Sequence, residues 1–137
     1  MNKELNYSLD QRTYQHRYFD MTIEDGIVYA TYKVAHMNIE IAREVIARRT
    51  ALMQPDTYPL LLDLSNLIQV DEEAMLYSAG EDGIKLISCA AFMMKSEING
   101  LGYETFSQFE PLVPIKAFHV SQKEEAIQWL KYMSNIN

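Results

Sequence analysis

The stretch Tyr58–Gly83, YPLLLDLSNLIQVDEEAMLYSAGEDG, decides how this chain is read. It contains Leu60-Leu61-Leu62, a run too continuous for a strand with one wet face. That run predicts a central strand over Tyr58–Leu64, covered on both sides. A loop, Ser65–Val70, follows it. A short helix then opens at Asp71-Glu72-Glu73 and ends near Gly80 and Gly83. Asp suits the N-cap, and Glu in the first turn meets the positive end of the helix dipole.

The same alternation of strand and helix extends in both directions. Downstream, Lys85–Met94 predicts a second buried strand. Ser96 can cap a helix running to Phe109, weakened by Gly100 and Gly102. Pro111 and Pro114 interrupt the chain before a last strand, Ile115–Val120. Ser121 and Glu124 form a capping box for a final helix whose inward residues are Ala126, Ile127, Leu130 and Met133. Upstream, Asn38 is placed to cap a helix with an apolar stripe of Ile41, Ala42, Val45, Ile46, Leu52 and Met53, closed by Gln54-Pro55-Asp56. Before it, two strand-like runs, Arg17–Glu24 and Ile27–Val34, flank Asp25-Gly26, a strong hairpin signal.

Residues 1–15 read as a polar N-terminal tail or arm, and residues 16–137 as one domain. The order ββαβαβαβα predicts an α/β fold. Its sheet is mixed and mostly parallel, with about five strands, an initial hairpin and about four helices.

Composition narrows the function. The chain has 137 residues, with 12 Lys plus Arg against 19 Asp plus Glu, a formal charge of −7. Such an acidic balance argues against nucleic acid and against an anionic membrane surface as partners. Apolar residues at 48% support a folded core without a metal or disulfide. Cys89, the only cysteine, lies in an apolar run and reads as a small buried hydrophobe. No apolar stretch approaches the roughly 20 residues of a membrane span, and Met1–Arg12 has no apolar signal segment, so a cytoplasmic location is expected.

No motif specifies a reaction. His16, His36 and His119 have no metal-ligand partner at short spacing. Gly100-Leu101-Gly102 is half a dinucleotide fingerprint, but Thr105 stands at its third glycine. No nucleophile elbow or phosphate loop is present. The expectation is a domain without catalytic residues, metal or cofactor. In open α/β sheets, sites gather beyond the carboxyl ends of the strands. That rule singles out Ser65, Asn66, Asp71, Glu72 and Glu73 as a partner-binding surface.

The segment from Tyr58 to Gly83 also resembles the core of STAS-like, SpoIIAA-like domains, the anti-sigma factor antagonist fold. Leu61-Leu62-Asp63-Leu64 is similar to the family's strand end, Leu67-Ile68-Gln69-Val70 to its hydrophobic loop, and Asp71 to the Asp of its Asp-Ser-Ser-Gly helix start. The ending FHVSQKEEAIQWLKYM is similar to the last strand and helix of small bacterial STAS/SEC14-type proteins, so the likeness spans residues 17–134. It implies a signalling module that binds a protein partner such as an anti-sigma-type kinase or sensor. The family's phospho-acceptor serines fall on Glu72 and Glu73, and its glycine on Ala74, so the usual phosphorylation switch is expected to be missing.

Two further expectations complete the reading. Eight methionines, including Met75, Met93 and Met94, together with the SEC14-type likeness, raise a small apolar ligand or lipid as the alternative to a protein partner. Tyr14, Tyr18, Tyr29 and Tyr32 on a two-stranded edge point to a homodimer through the hairpin, unless residues 1–15 fold over that edge.

Overall fold

A computed structural model describes residues 13–95, 98 and 111–135. The Leu-rich run forms β5 (Tyr58–Asp63), fourth in a six-stranded sheet. The other strands are β1 (Thr13–Gln15), β2 (Phe19–Glu24), β3 (Ile27–Tyr32), β7 (Ile87–Met94) and β8 (Ile115–His119). The spatial order is β1-β2-β3-β5-β7-β8. β1, β2 and β3 pair antiparallel, whereas β3–β5, β5–β7 and β7–β8 are parallel. A separate two-stranded parallel ladder joins β4 (His36–Met37) to β6 (Gln69–Val70).

Local chemistry explains the parts that sequence anticipated. At the hairpin turn Asp25 and Gly26 have φ of 53° and 78°, and Glu24 pairs with Ile27 across them. Two central residues with positive φ match the right-handed twist of the flanking strands, and Gly accepts that geometry without a Cβ clash. Asn38 Oδ1 accepts from Ile41 N at 2.8 Å and starts α1 (Ile39–Met53). α2 (Glu72–Ala79) and α3 (Lys123–Ser134) follow, making three α-helices among the described residues. The helix expected over Ser96–Phe109 lies outside those residues, apart from Ile98, which is buried.

Side chains on alternate strand positions divide the core in two. Leu60 and Leu62 join Val28, Ala30, Ala42, Val45 and Ala74 on the face that carries α1 and α2. Leu61 points the other way, with Ile27, Cys89, Ala91, Ala126 and Leu130 beneath α3. The two crossovers β3–α1–β5 and β5–α2–β7 run in the same direction across the sheet. Helices reached by crossovers of one hand therefore land on one face.

Several expectations are corrected. The main sheet has six strands instead of about five, because Thr13–Gln15, expected in the tail, pairs with Asp20–Thr22. That strand covers the hairpin edge. Tyr32 is not an edge residue but a buried one. Met133 is 38% exposed and so does not face inward with Ala126 and Leu130. The last helix is not opened by a Ser121/Glu124 box. A single 3-10 turn, Val120–Gln122, precedes it, and there His119 N donates to Gln122 Oε1 while Ser121 N donates to His119 Nδ1. The reciprocal bond pattern is retained, shifted to the residues that leave β8 directly.

Candidate functional site

The five residues singled out in the sequence lie together where β5 ends, but their side chains do different work. Ser65 N donates to Asp63 Oδ1 at 2.9 Å, so a local turn carries the chain out of the strand. Asn66 Nδ2 donates to the carbonyl of Tyr32 at 2.8 Å, tying the loop to the end of β3. Beyond it, Ile68 N and Gln69 N both reach the carbonyl of Ala35, at 2.7 and 3.1 Å. The β4–β6 ladder continues this seam, so the segment read as a simple loop is fixed by backbone bonds.

Asp71 occupies the N-cap position of α2, but its side chain makes no capping bond. Oδ1 instead meets His36 Nε2 at 2.7 Å, with both side chains partly open to solvent. Tertiary proximity to β4 outcompetes the local cap. Glu72 and Glu73 are exposed in the first turn. One turn further, Leu76 is 55% exposed, and Ile68 on the loop is 69% exposed. The outer side of this loop and helix thus carries two carboxylates beside two bare aliphatic side chains.

The inner side is different. Leu64, Leu67, Val70 and Met75 project inward and form part of the wall of a cavity of about 90 Å³ between the sheet and α2. Leu60, Leu62, Ala90 and Phe92 supply its sheet side, and Ser78, Ala79, Gly83 and Ile84 close the far end. A single water needs only about 10–15 Å³ of such space, so the cavity has room for several waters or a small organic molecule. It runs along the sheet face from Leu64, just past the carboxyl end of β5 and behind the singled-out loop, to Ile87 and Ile115 at the amino ends of β7 and β8.

One charged group interrupts the apolar wall. Arg49 on α1 lines the cavity and is only 3% exposed. Its Nη2 donates to the carbonyl of Gly83, and its guanidinium also hydrogen-bonds the phenol of Tyr32. Burial pushes the Tyr32 phenol above its ordinary pKa, and the charge and hydrogen bond of Arg49 pull it part of the way back. Nε of Arg49 is buried without a hydrogen-bond partner among the described residues. Sequence reasoning missed this residue, although the signal was there. Ala42, Val45, Ile46 and Met53 mark the buried side of α1, and position 49 falls on the same stripe.

The other candidates resolve plainly. Cys89 is buried beneath α3, and burial raises its thiol pKa, so it packs as an apolar side chain. His16 pairs with Glu44, His36 with Asp71, and His119 with Ser121 and its own turn. Among the described residues no three His, Cys, Asp or Glu side chains are grouped to hold a metal. No helix among them is long and apolar enough to cross a membrane. A second hollow, lined by Tyr29, Thr31, Asp63 and Lys123 among others, opens on the α3 side, but Lys123 is solvated and Asp63 is engaged by Ser65 N.

Comparison with known proteins agrees in leaving the activity open. The family model described as a domain of unknown function, DUF7793, matches residues 21–134, which takes in β3 through α3 and the last four residues of β2. No curated protein matches the chain.

Proposed function

The chain belongs to the DUF7793 family, so its function has to be read from the site, and we propose that it is a non-catalytic binding module for a small apolar molecule. The observation that carries this reading is the cavity of about 90 Å³ walled by Leu60, Leu62, Leu64, Ala90 and Phe92, with one convergent polar corner at Arg49 and Tyr32. Ligand sites combine predominantly apolar walls with a few placed polar groups. Met75 adds a flexible side chain to the wall, of the kind that adapts to different occupants.

The test is a titration of the isotopically labelled chain with 1-hexanol, read by amide and methyl NMR shifts. Saturable changes confined to Leu62, Met75, Ala90 and their neighbours are expected. Their absence up to the solubility of the alcohol overturns the reading. Native mass spectrometry of protein taken from cells then reports what co-purifies.

A second reading is STAS-like recognition of a protein partner, an anti-sigma-type kinase or sensor, through Ser65, Asn66, Asp71, Glu72 and Glu73. It is supported by the exposed Ile68 and Leu76 beside the two glutamates, since bare aliphatic side chains within a charged rim favour protein contact. Reversing both charges, Glu72→Lys with Glu73→Lys, should abolish capture of such a partner. Unchanged capture of every partner rules this surface out. The same loop supplies the inner wall and the outer surface, so the two readings share one piece of chain.

A further inference from the structure

Arg49 makes the cavity chemically selective. A guanidinium carries five N–H donors and cannot shed its proton in a protein. Two acceptors are in reach of it, the Gly83 carbonyl and the Tyr32 phenol, and both are uncharged. The ion pairs among the described residues are His16–Glu44, Lys33–Asp20 and His36–Asp71, and none of them involves Arg49. Among the described residues the side chain is thus a buried cation with no carboxylate partner, and its Nε has no acceptor. Buried charges are ordinarily paired, because removing a charge from water without a partner is costly.

We propose that the cavity is a carboxylate site, in which Arg49, with Tyr32 beside it, holds the headgroup of a small aliphatic monocarboxylate whose tail lies against Leu60, Leu62 and Phe92. The proposal rests on the cavity reading above and names the ligand class. A planar guanidinium fork matches the two oxygens of a carboxylate. A phenol oxygen that accepts from the guanidinium keeps its own proton as a donor for the same headgroup. One cation is matched by one negative charge. A phosphate monoester, near −2 at neutral pH, leaves a surplus charge among apolar walls that offer nothing to neutralise it. The volume suits a short aliphatic chain. Gly83 contributes by bringing its backbone against Ser78, where an added Cβ would come within 1.9 Å of the Ser78 carbonyl oxygen, and this close turn delivers the carbonyl that orients Arg49.

The experiment compares sodium hexanoate, 1-hexanol and hexylamine on the full chain, by calorimetry and by NMR shifts. Hexanoate is expected to bind at least roughly tenfold more tightly than hexanol, as charge-assisted hydrogen bonds imply, and hexylamine to leave the cavity resonances unmoved. In Arg49→Met the preference for hexanoate over hexanol disappears while hexanol still binds. If the wild-type chain binds hexanol as well as hexanoate, the cavity reading stands and the carboxylate site is refuted. If none of the three binds, both fall. Should Arg49→Met not fold, the wild-type comparison and Tyr32→Phe decide, the latter being expected to weaken hexanoate by a larger factor than hexanol. Equal losses for both ligands overturn the assignment.

Discussion

Arg49→Met should make the protein more stable, a result opposite to that expected for most buried positions. The guanidinium is 3% exposed, lines an apolar cavity and has no carboxylate among the described residues. Its effective desolvation cost is several kcal/mol, only partly returned by two neutral acceptors. Methionine removes that cost, fits the same linear space and adds apolar contact with Leu60 and Leu62. Against this stands the Gly83 carbonyl, which loses its donor at a cost of about 1–3 kcal/mol. The balance favours the variant by about 1–3 kcal/mol, which for a chain of this length raises Tm by about 3–10 °C. Urea unfolding followed by circular dichroism measures it without changing ionic strength, and the denaturant slope should stay constant. A loss of 2 kcal/mol or more would refute the reasoning, for it would mean that Arg49 is a structural tie between α1 and the turn after α2. A gain would mark it as a residue kept at the expense of stability, as binding residues often are.

The remaining expectations concern the scaffold. Gly83→Ala should cost about 2 kcal/mol or more, because the new Cβ would collide with the Ser78 backbone, and thermal unfolding reads the loss. Asn38→Ala should cost about 1 kcal/mol by removing the bond to Ile41 N, measurable in the same assay. Burial raises the Cys89 pKa, so little thiolate forms near pH 8. An aromatic disulfide reagent should therefore label the thiol only at the rate of unfolding, and rapid native labelling would contradict its placement. A homodimer through the hairpin side must now use β1, and light scattering that returns the 15.9 kDa monomer mass at every dilution would exclude it.

How much could be read beforehand depended on the range of each interaction. Asp25-Gly26, the Asn38 cap and the Leu60–Leu62 run are consecutive residues whose backbone or burial preferences point one way. The hairpin, α1 and the central strand therefore followed from sequence alone. The location of Ser65, Asn66, Asp71, Glu72 and Glu73 beyond the end of β5 followed from the same local signals. Their engagements did not. Asp71 turns from its own helix to His36, thirty-five residues earlier in the chain, and Asn66 reaches back to the Tyr32 carbonyl. The pairing of Thr13–Gln15 with β2 and of β4 with β6 involves strands too short to show a period. Met133 lies in the last turn of α3 and is 38% exposed, so the 3.6-residue stripe overran the contact. Arg49 is the sharpest instance. Sequence placed a cation on an apolar stripe, which ordinarily means a side chain reaching past the core to water. Only the packing of α1 beside the turn at Gly83 shows that its guanidinium stays inside, bonded to the Gly83 carbonyl, and so turns an unremarkable arginine into the polar corner of a cavity.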